Sequence, residues 1–170
     1  DAPVSGGQAG AENGTLTIMV GSSPENFEHT KPVQECYAQA VTLMGDVGSG
    51  QLTKMVNQIT FVGAVQSISE GLAFAEKAGL DPKKVIDVIS EGAAGSWQLS
   101  NRGYTMVEDK FDFGFAVDWV RKDLGFALDE ARKNGSALPV TGLIDQYYKE
   151  VQRMGSGRWD TSALIKLLRD

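Results

Sequence analysis

The chain has 170 residues, 42% of them hydrophobic and 22% charged, which is enough to bury a real core and too apolar for intrinsic disorder. A net charge of −6, with lysines and arginines scattered rather than clustered, excludes the basic stripe that nucleic acid requires, and no run approaches the ~18 apolar residues of a membrane span. One histidine, His29, and one cysteine, Cys36, supply neither a transition-metal cluster nor an internal disulfide, a pattern that fits a reducing, cytoplasmic setting.

In chain order, "DAPVSGG" begins with Asp rather than Met and reads as a strand entered partway along, so the chain is expected to be part of a longer protein. With the turn signal Asn13-Gly14, segments Ala2–Ser5 and Thr15–Val20 read as strands. "SSPENFEHT" opens a helix. Ser22 or Ser23 caps it, Pro24 sits in its first turn, Glu25 and Glu28 suit its positive end, and Pro32 is expected to break or kink it. Residues 40–45 form a third strand, and three strands are too few for a complete α/β domain.

From Gly48 the pattern is helical throughout. Residues 51–78 contain no proline and predict a helix of about 28 residues, on the order of 40 Å long. Asp81-Pro82 starts a helix with Val85, Ile86 and Ile89 along one stripe, and Ser96 caps one holding Trp97, Leu99, Tyr104 and Val107. Asp118 is expected to cap a helix lined by Leu124, Ala127, Leu128 and Ala131, ended by Asn134-Gly135. Pro139 starts the next, its apolar face read as Leu143, Ile144, Tyr147, Val151 and Met154, and Asp160 caps a last short helix with Leu164, Leu167 and Leu168. The expected fold is mostly α, an all-α domain preceded by a remnant of an α/β one.

Between Asp46 and Glu70 the only charged side chain is Lys54. Gln51, Lys54, Asn57 and Gln58 recur at spacings of three and four and so share one helix face. A lysine there is compatible with an ammonium snorkelling to water, or with a desolvated lysine whose lowered pKa suits proton transfer. Ser5, Gly6 and Gly7 follow a strand and read either as a plain turn or as converging donors for an anion. Lys122 and Asp123, after Phe115, read as a solvated pair or as part of a site. Gly48 and Gly50 echo a dinucleotide fingerprint, but Thr53 replaces its third glycine and no strand with the ribose-binding acid follows.

The order "DAPVSGG", "GTLTIMVGS", "GSGQLTKMVNQ" and "FAVDWVRKDL" resembles the β-hydroxyacid dehydrogenase family over essentially the whole chain. That family includes 3-hydroxyisobutyrate dehydrogenase and tartronate semialdehyde reductase, with 6-phosphogluconate dehydrogenase more distant. The resemblance implies an NAD(P)-binding Rossmann domain, here reduced to its C-terminal remnant in residues 1–47, then a long interdomain helix and an all-α substrate and dimerisation domain in residues 48–170. It implies reversible NAD- or NADP-dependent oxidation of a short β-hydroxy acid of the 3-hydroxyisobutyrate or 2-hydroxy-3-oxopropionate type. Lys54 falls on the catalytic lysine, Ser5, Gly6 and Gly7 on the loop that holds the substrate carboxylate, and Asn57 on an amide of the same helix face. Gln58 stands where many members have asparagine. Lys122, Phe115 and Asp123 fall on the residues near the nicotinamide end of the cofactor, and no metal is required.

Two other readings stand beside this one, a non-catalytic helical assembly domain and a small nucleotide-binding module built on Gly48–Gly50. The expected partners are a small hydroxy acid and further copies of the chain, as dimer or tetramer, with neither nucleic acid nor membrane. The 170-residue chain alone is expected to be inactive.

Overall fold

The computed structural model describes residues 1–169; the end of the expected helical domain at residue 170 lies outside them. The chain divides into two compact units, Asp1–Asn57 and a helical unit that begins at Gln58. The division falls inside a helix, rather than ahead of it where the composition changes.

The first unit is a three-stranded sheet of order β1-β2-β3 with its helices. Strand β1 (Val4–Ser5) pairs antiparallel with β2 (Leu16–Gly21), and β2 pairs parallel with β3 (Ala38–Gly45). The middle strand β2 is buried on both faces, as a central strand should be. Leu16, Ile18 and Val20 pack with Phe27, Ala38, Val41 and Leu43, while Met19 is buried on the opposite side. Hydrogen bonds prolong the β1–β2 ladder to Asp1, whose main-chain nitrogen donates to Gly21 O at 3.0 Å while Gly21 N donates to Asp1 O at 2.8 Å.

Two local expectations are corrected here. Helix α1 (Gly7–Glu12) lies between β1 and β2, where the sequence reading saw only a turn. Two glycines in six residues weaken its intrinsic signal, and Gly10 is buried against Leu16. Helix α2 (Pro24–Gln34) is capped by Ser23, whose hydroxyl accepts from Asn26 N at 3.3 Å, and it continues past Pro32. Proline in the last turn removes only one late bond, opposite an exposed Glu28.

Helix α3 (Ser49–Lys77) runs 29 residues. Its buried positions Gln58, Val62, Val65, Ser69 and Leu72 alternate by four and three, the stripe of a core helix. Leu52 and Val56, also on α3, are exposed. In the helical unit this stripe packs with α4 (Pro82–Ser90), α5 (Trp97–Val107), α6 (Val117–Asn134), α7 (Pro139–Arg153) and a closing 3₁₀ segment (Thr161–Leu168). Asp81, Ser96 and Asp160 cap their helices as read from the sequence.

Asp118 does not cap α6. The helix begins one residue earlier, and the amides of Val117 and Asp118 donate to the carbonyls of Trp159 and Gly157, both at 2.9 Å. The buried face of α7 is also rotated from the expected one. Thr141, Ile144, Asp145, Tyr148 and Val151 point inward, while Leu143 and Met154 are exposed. On that face Arg121 of α6 grips the Asp145 carboxylate through Nε at 2.9 Å and Nη2 at 3.1 Å. A buried carboxylate is tolerated when paired and hydrogen-bonded, so an aspartate that looks like a surface marker becomes part of the interior.

Candidate active site

In the first unit, Ser5 ends β1 and is half-buried, and Gly6 and Gly7 lead into α1 with φ of 127° and 60°. These positive φ values are where a side chain would be strained, and a Cβ on Gly6 would sit 3.1 Å from Leu16 Cδ2. The Ser5-Gly6-Gly7 turn is therefore a shaped stretch of main chain. Lys54 and Asn57 stand on α3 within the same unit, both half-buried.

The N-terminus of α3 decides the Gly48–Gly50 reading. Asp1 Oδ1 accepts from Gly48 N at 2.6 Å, and Asp1 Oδ2 accepts from Gln51 N at 2.7 Å. The donors that a phosphate would need already hold a carboxylate of the chain itself. A Cβ on Gly50 would collide with Met19 O and lie 2.8 Å from Asp1 Oδ2. This glycine serves close helix–strand packing, and the nucleotide-binding module is set aside. Sequence reading overlooked Asp1; an acidic residue at a strand position, where aspartate is disfavoured, was the available signal.

In the helical unit Gln58, Lys122 and Asp123 are joined. Gln58 on α3 is only 3% exposed, and its Nε2 donates to Asp123 Oδ2 at 2.5 Å. Lys122 Nζ lies 3.1 Å from Asp123 Oδ1. Its ammonium also sits 5.8 Å from the Trp119 ring centre and 5.7 Å from that of Phe126, residues three before and four after it, so the cation rests on an aromatic face of α6. Phe115 packs against Phe61 with centroids 6.0 Å apart, and its N–H donates to Asp160 Oδ2 at 2.9 Å.

Asp160 is the anchor of that loop. Only 1% exposed, it also accepts from Ser162 N at 3.0 Å and Ser162 Oγ at 2.6 Å, and pairs with Arg102 Nε at 3.2 Å. The Arg102 guanidinium lies 5.1 Å from both the Trp97 and the Phe113 rings. Neither Asp160 nor the aromatic companions of Lys122 were singled out as site residues from sequence. Among the described residues no group of three or more His, Cys, Asp or Glu side chains is disposed to hold a metal ion, and no helix is long and apolar enough to cross a membrane.

Comparison with known proteins places this geometry. The family profile for the NAD-binding region of NADP-dependent 3-hydroxyisobutyrate dehydrogenase matches residues 48–168, and that for the NAD-binding domain of 6-phosphogluconate dehydrogenase matches residues 1–45. The chain belongs to the β-hydroxyacid dehydrogenase family. An uncharacterized oxidoreductase of Shewanella frigidimarina is 62% identical over 99% of the chain, and the 2-hydroxy-3-oxopropionate reductase of Escherichia coli is 39% identical over 99% of it. The 3-hydroxyisobutyrate dehydrogenase of Mycobacterium tuberculosis, solved with L-serine, superposes with a TM-score of 0.89 at 30% identity, covering 100% of this chain and 60% of that one.

The chain spans 58% of the length of both of these curated relatives. The fold class is that of the family, a few Rossmann strands followed by a helical domain. The family's cofactor is NAD(P). The donor set of the helical unit suits it. Lys122 is 52% exposed and Asp123 19%, so an ammonium and a carboxylate stand together beside Trp119 and Phe126. Such a set can meet the hydroxyl and amide groups of a nicotinamide ribose.

Proposed function

We propose that this chain forms the larger part of an NAD(P)-dependent dehydrogenase of short β-hydroxy acids, with Lys54 as its acid–base group. The observation that carries the reading is the lone half-buried Lys54 on an otherwise uncharged stretch of α3, at the family's lysine position and in the same unit as the Ser5-Gly6-Gly7 turn. Lys54 takes the hydroxyl proton during oxidation and returns it during reduction. The Ser5 hydroxyl and the Gly6 and Gly7 amides hold the substrate carboxylate, and Asn57 orients the reacting oxygen.

Gln58, with its amide nitrogen on Asp123, steadies Asp123 and through it Lys122. Lys122, Asp123 and Phe115 would hold the nicotinamide end of NAD(P), whose chemistry when bound is hydride exchange with the substrate's β-carbon. Two relatives support the substrate class, a 2-hydroxy-3-oxopropionate reductase and a 3-hydroxyisobutyrate dehydrogenase solved with L-serine. We assign a three- to four-carbon acid carrying its hydroxyl or aldehyde on the β-carbon. Self-association fits the exposed Phe74 and Val88.

Steady-state kinetics of Lys54→Ala in the full-length protein test the assignment. Turnover falls by about 10²-fold or more, the low end for a lost acid–base group, with cofactor affinity little changed. Near-normal turnover would end it.

A further inference from the structure

Helix α3 has no side chain of its own at its N-terminus, because the residue before Ser49 is Gly48. Its first intrahelical bond runs from Leu52 N to Gly48 O at 3.0 Å, which leaves the amides of the first turn needing acceptors from elsewhere. In a capping box two side chains share that task, one at the cap and one three residues later. Here a single carboxylate performs both parts from a strand 47 residues away in sequence. Asp1 takes the Gly48 amide at 2.6 Å and the Gln51 amide at 2.7 Å. The bonds are charge-assisted, and the negative group sits at the positive end of the helix.

We propose that Asp1 is a positioning residue for Lys54, setting the height and rotation of the turn that carries it; the proposal rests on the reading of Lys54 as the acid–base group. Gln51, held by Asp1, is one turn before Lys54 on the same helix face. The seat has little play. A Cβ on Gly21 would lie 2.8 Å from Asp46 O and 2.9 Å from Gly50 N, and Gly21 and Gly50 are both buried, so strand end and helix turn meet main chain to main chain. Asp1 is the side chain that bonds this contact together. The β1 strand that leads to Ser5 is paired independently of that carboxylate, through Met19 N to Pro3 O at 3.0 Å and the Val4–Ile18 register. Loss of the carboxylate therefore moves Lys54 while leaving the Ser5 turn in place.

Kinetics of the full-length protein distinguish this role from an ordinary helix cap. Asp1→Asn keeps the shape and one acceptor, so it folds even where Asp1→Ala does not. It lowers kcat about tenfold or more, since misplacement by about 1 Å can be worth 10²-fold, and it shifts the acid–base limb of the kcat pH profile. Substrate KM and cofactor affinity stay within about twofold, as expected for an interaction made only in the transition state. Asp81→Ala, which removes the local cap of α4, lowers the melting temperature and leaves kcat unchanged. Combined with Lys54→Ala, Asp1→Asn produces no further loss.

Wild-type kcat in Asp1→Asn, or a loss that multiplies with that of Lys54→Ala, overturns the positioning role while the assignment of Lys54 stands. Normal turnover in Lys54→Ala itself overturns that assignment instead.

Discussion

The two units hold their candidate residues by opposite means. In residues 1–57 the start of α3 is fixed by main chain packed too closely to admit a methyl group, and the Ser5 turn by the positive φ of Gly6 and Gly7. Gly21 and Gly50 face backbone atoms, and Gly6 and Gly10 face Leu16. In the helical unit the anchors are carboxylates held by charged and polar side chains. Asp160 is gripped by Arg102, Asp145 by Arg121, and Asp123 by Lys122 and Gln58. Of its tightest glycines, Gly114 and Gly157 face carboxylates, those of Asp160 and Asp118, while Gly95 faces the main-chain carbonyl of Ser90. The start of α3 is therefore set by close main-chain contact, and the anchors of the helical unit by paired charges. Lys54, which must deliver a proton to a defined point, stands on the unit whose geometry is set by contact distance.

That contrast is open to four measurements. Gly50→Ala has the largest effect. Its Cβ has no place between Met19 O and Asp1, and the overlap is with backbone, so the first unit must open. Overpacking costs about 1–3 kcal/mol where side chains can yield, and more is expected here. Thermal unfolding and turnover should both collapse, and a well-folded, active variant would show the seat to be loose.

Asp160→Ala comes next, from the opposite direction. It strips acceptors from the amides of Phe115 and Ser162 and leaves Arg102 unpaired. Breaking a buried pair by removing one partner is worth about 3–5 kcal/mol. Chemical denaturation measures the loss, and a change below about 1 kcal/mol would place this anchor with ordinary surface pairs.

Gly63→Ala sharpens the comparison from within α3. A Cβ there meets nothing within 4 Å, so only helix propensity acts, and stability rises by about 0.5–1 kcal/mol. The same substitution thus changes sign between positions 50 and 63 of a single helix. A destabilised Gly63→Ala would mean that this face of α3 is covered in the full-length protein.

The smallest effect concerns the exposed cluster of Glu108 with Lys110 and Lys83, both at 2.8 Å. Hydrogen bonds from the two lysines hold the Glu108 carboxyl at about 2, against an ordinary 4.5. Because the folded-state value is depressed, the stabilisation is fully present above pH 4.5 and fades as pH falls towards 2. Melting curves of wild type and Glu108→Gln should differ slightly at neutral pH and converge below pH 4.5; a constant offset across that range would remove the lysines as the cause.

Much of the fold was legible in the sequence because its causes are local. Ser23, Asp81, Ser96 and Asp160 cap helices that begin within three residues of them, and the absence of proline over residues 51–78 marks the long helix α3. Of the candidate site, the isolation of Lys54 among uncharged neighbours and the amide-bearing face around it were visible in the same way. What the tertiary structure alone decided involves partners far apart in the chain. Asp1 reaches the amides of Gly48 and Gln51, Gln58 reaches Asp123 across 65 positions, and Arg121 reaches Asp145 across 24. Asp118 lost its expected capping role because the carbonyls of Gly157 and Trp159 supply the acceptors at the start of α6. A local pattern records whether a side chain is polar, but it does not record whether a distant group arrives to satisfy it. A carboxylate therefore reads as a surface residue in sequence until folding brings its cation, amide or main-chain donor within hydrogen-bonding distance.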